Sequence, residues 1–125
     1  KNVNEVLKEL KFRGDKIAIA TNKRRDPTLK IIKHLNWVDY FSWVACVNPE
    51  NKKIKNKSEL VQSILTNKID FQNSFFVGDT LNDAQCAKDN KLKFIKASYG
   101  YSEKKGWDNF QVYQDISNPI NILEI

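Results

Sequence analysis

Short apolar runs alternating with helical patterns constrain this chain more than any other feature. "KIAIA" (16–20) is a continuous Ile-rich run, too short for a helix, and it reads as a strand covered on both faces. "WVACV" (43–47) reads as a second buried strand, "SFFVG" (74–78) as a third and "KFIKA" (93–97) as a fourth. Before the first run, Val3, Val6, Leu7 and Leu10 fall on one helical face, with Asn2 and Glu5 spaced as a capping box and Gly14 as the stop. Asp26 is positioned to cap a second helix, with Pro27 in its first turn and Leu29, Ile31, Ile32 and Leu35 following. Residues 56–67 and about 82–89 carry two more helical patterns, and a last strand near 110–114 leads to a short helix from Pro119. Strands alternating with helices imply an α/β fold, a doubly wound, mostly parallel Rossmann-like sheet with right-handed crossovers. At 125 residues, without repeats or low-complexity tracts, the chain reads as a single domain over 1–125.

Composition removes several functional classes. Hydrophobic residues make up 41% and charged residues 29% of the chain, and no apolar run approaches the roughly 18 residues a membrane span requires. The N-terminal "KNVNEVLKEL" lacks the apolar stretch and cleavage site of a signal peptide, and a chain without Met does not read as a natural start. Cys46 and Cys86 have no CxxC spacing, which argues against a disulfide framework or a zinc site and suits a reducing cytoplasm. The net charge of +6 comes from 21 basic residues spread over every segment, thickening at 22–25 and 51–57. Aromatic residues do not interleave with those clusters as a single-strand nucleic-acid surface requires, so a small anionic ligand is the better expectation.

In doubly wound sheets, ligands sit beyond the carboxyl ends of the strands. That rule selects Thr21 and Asn22 after the first strand and Asp79 after the third. Asp79 and Asp83, with hydroxyl and ammonium groups nearby, suit a hard cation such as Mg²⁺ and a phosphate bound to it. Plainer alternatives stand beside these. Thr21 could simply end a strand, Asp79 and Asp83 could cap the short helix, and the lysines of 51–57 could be a solvated loop. His34 suits a helix surface, and Trp37, Trp43 and Trp107 suit packing, while "YGYSEKKGW" could border a substrate mouth.

Three segments together resemble the haloacid dehalogenase superfamily, and within it the phosphoglycolate phosphatase-like hydrolases. "KIAIATNK" looks like the second motif, a strand ending in Thr or Ser; "NKSELVQSIL" like the third, a Lys opening a helix; "FFVGDTLNDAQCA" like the fourth, Gly-Asp with a second Asp four residues on. "KASYGYSE" also resembles the loop after the next strand. The resemblance implies a Mg²⁺-dependent phosphatase acting on a small phosphomonoester. It assigns phosphate contacts to the Thr21 hydroxyl and the Asn22 N–H, a neutralising charge to Lys57, Mg²⁺ directly to Asp79, and to Asp83 either the metal through water or the orientation of Lys57, with Gly78 allowing a tight exit from the strand. Lys53 and Lys55 are alternatives to Lys57.

The family's first motif, Asp-x-Asp after an apolar strand, has no counterpart in this sequence, so no nucleophile can be named. In the family that strand lies centrally, between the strands read at 16–20 and 74–78. Its loss would expose apolar faces and unpaired backbone groups, at a cost far above a usual net stability of roughly 5–15 kcal/mol. The expectation is therefore a larger enzyme whose N-terminal segment and cap are not in these residues, with the chain alone inactive. Two alternatives come from other classes: a non-catalytic module that binds a phosphorylated ligand or protein, its middle strand supplied by a partner or by oligomerisation or rebuilt from another segment, and a receiver-like phosphoacceptor. Order disfavours the receiver, because Thr21 and Lys57 precede Asp79.

Overall fold

The computed structural model describes residues 2–47, 56–65, 73–100 and 104–125. Helix α1 (Val3–Phe12) starts where the Asn2 carbonyl accepts from the Val6 N–H, and it buries Val6 and Leu7. It ends on Gly14 at φ 87°, where the Asp15 N–H bonds the Leu10 carbonyl and the Gly14 N–H bonds that of Lys11. That pair of bonds satisfies two terminal carbonyls and needs a left-handed residue, which glycine adopts without strain. Two compact units make up the chain, one of Lys1–Val6 with Ile69–Ile125 and the other of Leu7–Lys68.

In the Leu7–Lys68 unit, strand β1 (Ala18–Arg24) pairs in parallel with β2 (Trp43–Val47), and the connection between them runs through α2 (Arg25–His34) and a 3-10 turn at Val38–Tyr40. Both strands are covered by α2 and by α3 (Lys57–Leu65), which bury Ile32, Leu60, Val61 and Ile64. Asp26 is not the cap of α2. Arg24 occupies that position in an extended conformation, and Asp26 stands in the first turn, where its charge favours the helix dipole instead. The cover expected on both faces of residues 16–20 is also incomplete: the ladder begins at Ala18, which is exposed, and Ile19 and Ala20 are only half-buried. Among the described residues β1 pairs with β2 alone, and an edge strand shields less of its side chains than a central one.

In the other unit, β3 (Phe75–Gly78), β4 (Lys93–Ala97) and β5 (Gln114–Ile116) form a parallel sheet in that order. Helix α4 (Leu81–Asp89) connects the first two. Alternation along the strands separates two faces. Phe94 meets Ala84 and Ala87 of α4 with Phe76, Trp107, Phe110 and Val112 around them, while Ile95, Ala97 and Ile116 are buried on the opposite face. The strand expected near 110–114 forms at 114–116, because Phe110 and Val112 pack against the α4 cluster instead of joining the ladder. Asn118 caps a final 3-10 helix at Pro119–Glu124 through a reciprocal bond with Asn121, and it also accepts from the Asn2 amide at 3.2 Å. No helix among the described residues is long and apolar enough to cross a membrane.

Candidate functional site

Strand β3 delivers Asp79 to the carboxyl end of its sheet, and the chain turns at once into α4. Thr80 is the N-cap: its Oγ accepts from the Asp83 N–H at 3.1 Å, and its own N–H donates to Asp83 Oδ2 at 3.3 Å. The same carboxylate oxygen accepts from the Asp79 N–H at 3.1 Å. One buried carboxylate, 5% exposed, thus gathers the backbone of both residues that leave the strand. Thr80 is a residue that the sequence reading passed over, although Thr80-x-x-Asp83 is the capping-box pattern.

Gly78 explains how Asp83 reaches that position. A Cβ at residue 78 would lie 2.6 Å from both Cγ and Oδ2 of Asp83, so the carboxylate folds over the space that the missing side chain leaves. Asp79 itself is half-buried. Burial pushes the Tyr99 hydroxyl above its usual pKa of 10.0, and the negative charge of Asp79 adds to the shift, since both disfavour the phenolate.

In the other unit, regular pairing of β1 stops at Thr21, opposite Cys46; the next pair is Arg24 with Val47, so Asn22 and Lys23 stand outside the register. The Lys23 N–H turns back to donate to Thr21 Oγ1 at 3.2 Å. Thr21 and Asn22 therefore lie at an irregularity inside β1, which runs on to Arg24, and not after the strand as the sequence pattern implies, because the polar residues that follow Ala20 continue the extended backbone. Asn56 caps α3 by accepting from the Glu59 N–H at 2.9 Å, which makes Lys57 the first helical residue. Lys53 and Lys55 lie outside the described residues. His34 is exposed in the last turn of α2, and among the described residues Cys46, half-buried, and Cys86, buried, form no disulfide. The structure therefore brings Asp79 and Asp83 into direct contact in one unit and places Thr21, Asn22 and Lys57 in the other.

Known proteins resemble this chain over most of its length. Phosphoglycolate phosphatases of Nitrosospira multiformis and Psychrobacter arcticus are 32% and 30% identical to the chain over 101 residues, which is 81% of this chain. The chain spans 44% of the length of each. A HAD-superfamily hydrolase from Ehrlichia chaffeensis has a similar structure, with a TM-score of 0.78 at 25% identity, over 99% of this chain and 55% of that one. A haloacid dehalogenase-like protein from Streptococcus pneumoniae shares the fold at 20% identity, with a TM-score of 0.85, over 98% of this chain and 57% of its own. A family model described as haloacid dehalogenase-like hydrolase matches residues 1–97, a span that takes in Thr21, Lys57, Asp79 and Asp83. On that match the chain belongs to the haloacid dehalogenase-like hydrolases, and it is similar to their phosphoglycolate phosphatases.

Proposed function

We propose that the complete protein hydrolyses a small phosphomonoester with Mg²⁺, by attack of an aspartate that lies outside these 125 residues. The observation that carries this reading is the Asp79 turn, where a half-buried carboxylate is set at a strand end and its backbone is fixed by Asp83. Residues 1–125 would then be one incomplete core, in a cytoplasmic enzyme.

Mg²⁺ usually binds through one or two carboxylates and completes its shell with water and substrate phosphate, so a cage of protein ligands is unnecessary. Among the described residues no three acidic, His or Cys side chains cluster, and the hard oxygens of Asp79 fit the sparser arrangement. Asp79 would hold the ion directly. Asp83 has one oxygen on two backbone N–H groups, so its part is to fix the turn and to reach the ion through water. Bound Mg²⁺ would supply positive charge to a phosphoryl group.

The chain's own residues supply the rest. The Thr21 hydroxyl and the Asn22 N–H would donate to phosphoryl oxygens and orient them. Lys57 stands at the first position of α3, where a cation opposes the helix dipole by about 0.3–1 kcal/mol. Local stability does not account for that placement, whereas neutralising an attacking carboxylate and a phosphate does. In the reaction an aspartate oxygen bonds phosphorus as the ester P–O bond breaks, and the leaving oxygen takes a proton from a neighbouring acid. Water then releases inorganic phosphate and restores the carboxylate.

A second reading, a non-catalytic module that binds a phosphorylated ligand or a protein, is favoured by one observation. Phe75 and Val77 on β3 are 41% and 38% exposed on a strand that pairs only with β4 among the described residues, an edge that a partner strand or a second copy could complete. Assaying the 125-residue chain and an N-terminally extended form against an aryl phosphate with Mg²⁺ separates the two readings. Activity in the extended form alone is expected. Turnover by the short chain overturns the assignment of the nucleophile, and inactivity of both, with the extension folded, favours the binding module.

A further inference from the structure

We propose that Gly100 is a positioning residue for the Asp79 carboxylate, with the chain after β4 seated on the turn of Asp79 to Leu81 through two glycines. The proposal rests on the reading of Asp79 as the Mg²⁺ ligand.

Only two glycines of the chain have positive φ, Gly14 and Gly106. Gly100 is not one of them, so its backbone conformation is open to any residue and gives no reason for a glycine. Space gives the reason. A Cβ at residue 100 would lie 2.8 Å from Asp79 Cβ and 3.0 Å from its Cγ, and nearer still to Oδ2. Neither side of this contact can easily recede. Ala97 is buried and paired with Ile116, the Ser98 N–H donates to the Ile116 carbonyl at 2.9 Å, and the Gly100 N–H donates to Ala97 at 3.1 Å. Facing it, Gly78 is paired with Lys96, and the Asp79 N–H is held by Asp83. A side chain at 100 would therefore turn the Asp79 carboxylate away and, because rotation leaves its Cβ where it stands, would also push the two held segments apart, displacing Asp79 in either case.

A second contact of the same kind fastens the next residue but one. Gly106, at φ 96°, leaves room for Leu81, whose Cδ1 lies 2.8 Å from where a Cβ would stand. Trp107 follows immediately and stacks on Phe94 with ring centroids 6.0 Å apart, while the Lys96 ammonium lies 4.4 Å from the indole centre. Lys96 is also 3.9 Å from an Asp115 carboxylate oxygen. The turn of Asp79 to Leu81 thus meets Gly100 at one end and Gly106 at the other, and Gly100 faces the Asp79 carboxylate directly.

The test uses the extended, complete protein and four variants: Gly100→Ala, Asp79→Asn, Asp79→Gly and the double variant of Asp79→Gly with Gly100→Ala. Mg²⁺ binding is measured by calorimetry without substrate, and thermal unfolding is measured without metal. Gly100→Ala is expected to weaken Mg²⁺ binding about tenfold or more, the usual cost of losing a residue that orients a ligand. It is also expected to lower the melting temperature, and by clearly less when residue 79 is Gly, because the crowding partner is then gone. Wild-type Mg²⁺ affinity in Gly100→Ala, or an equal loss of melting temperature in both backgrounds, overturns the proposal. Should Gly100→Ala fail to fold, recovery of folding in the double variant supports the proposal and failure to recover overturns it. Equal Mg²⁺ binding by wild type and Asp79→Asn would remove Asp79 from the metal site, and the thermal comparison would still decide whether Gly100 orients that carboxylate.

Discussion

Two strands carry Asp79 and Thr21, two of the residues proposed for chemistry, and the backbone beside each is built differently. At the end of β3, Asp79 enters a turn closed by a buried carboxylate, an N-cap hydroxyl and two glycines at close approach. Within β1, Thr21 passes into two residues outside the register, both exposed, with one bond from the Lys23 N–H holding the bend. The first is closed by the helix that follows it. The second is a local bend inside its strand, which resumes pairing at Arg24. On the proposed roles, a metal ligand must keep its direction before any substrate arrives, whereas a phosphate-binding hydroxyl can be ordered by the phosphate itself, so pre-organisation would be spent where charge would otherwise repel.

Replacing Asp79 by Asn in the active form is the severest way to break this contrast. Turnover should fall by about a thousandfold or more, since the charge that holds the metal is lost. An unchanged rate in a phosphatase assay would remove Asp79 from the site. Asp83→Ala should act on the fold instead, destabilising the protein by about 2–4 kcal/mol through loss of the cap and of partners for two backbone N–H groups. Denaturant unfolding that matches wild type would show that the turn does not depend on it. Thr21→Val, at the bend in β1, should reduce kcat/KM by about tenfold and change stability by less than about 0.5 kcal/mol. A large loss of stability there would mean that the bend is as tightly built as the Asp79 turn.

The smallest expected effect concerns Tyr99. Its pKa is raised by burial and by Asp79, so the folded protein holds this proton more tightly than the unfolded chain. Stability tied to Tyr99 is therefore complete below the unfolded pKa near 10.0 and is lost as pH rises through the folded value. An ultraviolet phenolate titration should show the Tyr99 midpoint falling in Asp79→Asn yet staying above the ordinary value, because burial persists. No movement would show that the Asp79 charge does not reach the ring.

Much of the fold was legible where period and length agree. The run at 43–47 is β2 and that at 93–97 is β4, with the bounds read from the sequence. Phe110 and Val112 misled because alternation records only that two side chains share a face. It does not say whether that face meets a helix through a ladder or through a loop. Asp26 misled because a strong cap former two residues into a helix looks the same in sequence as one at its start. At the site, the spacing of Asp79 and Asp83 was visible, while the backbone bonds by which Asp83 closes the turn were not. That closure depends on Gly78 leaving room for one carboxylate to turn inward, and the two glycines after β4 meet the Asp79 turn across a gap of about twenty residues that no local pattern spans.

Lys93 acquires a further meaning from where it lies. Its ammonium is 5.7 Å from the Phe75 ring centre and 5.0 Å from that of Tyr113, over two aromatic rings that are themselves 5.4 Å apart and both largely exposed. Exposed aromatic rings side by side on a sheet face are a contact surface for another molecule, and a charge held over them makes stacking of two such faces repulsive. At high concentration the loss of Lys93 should therefore favour self-association through that face.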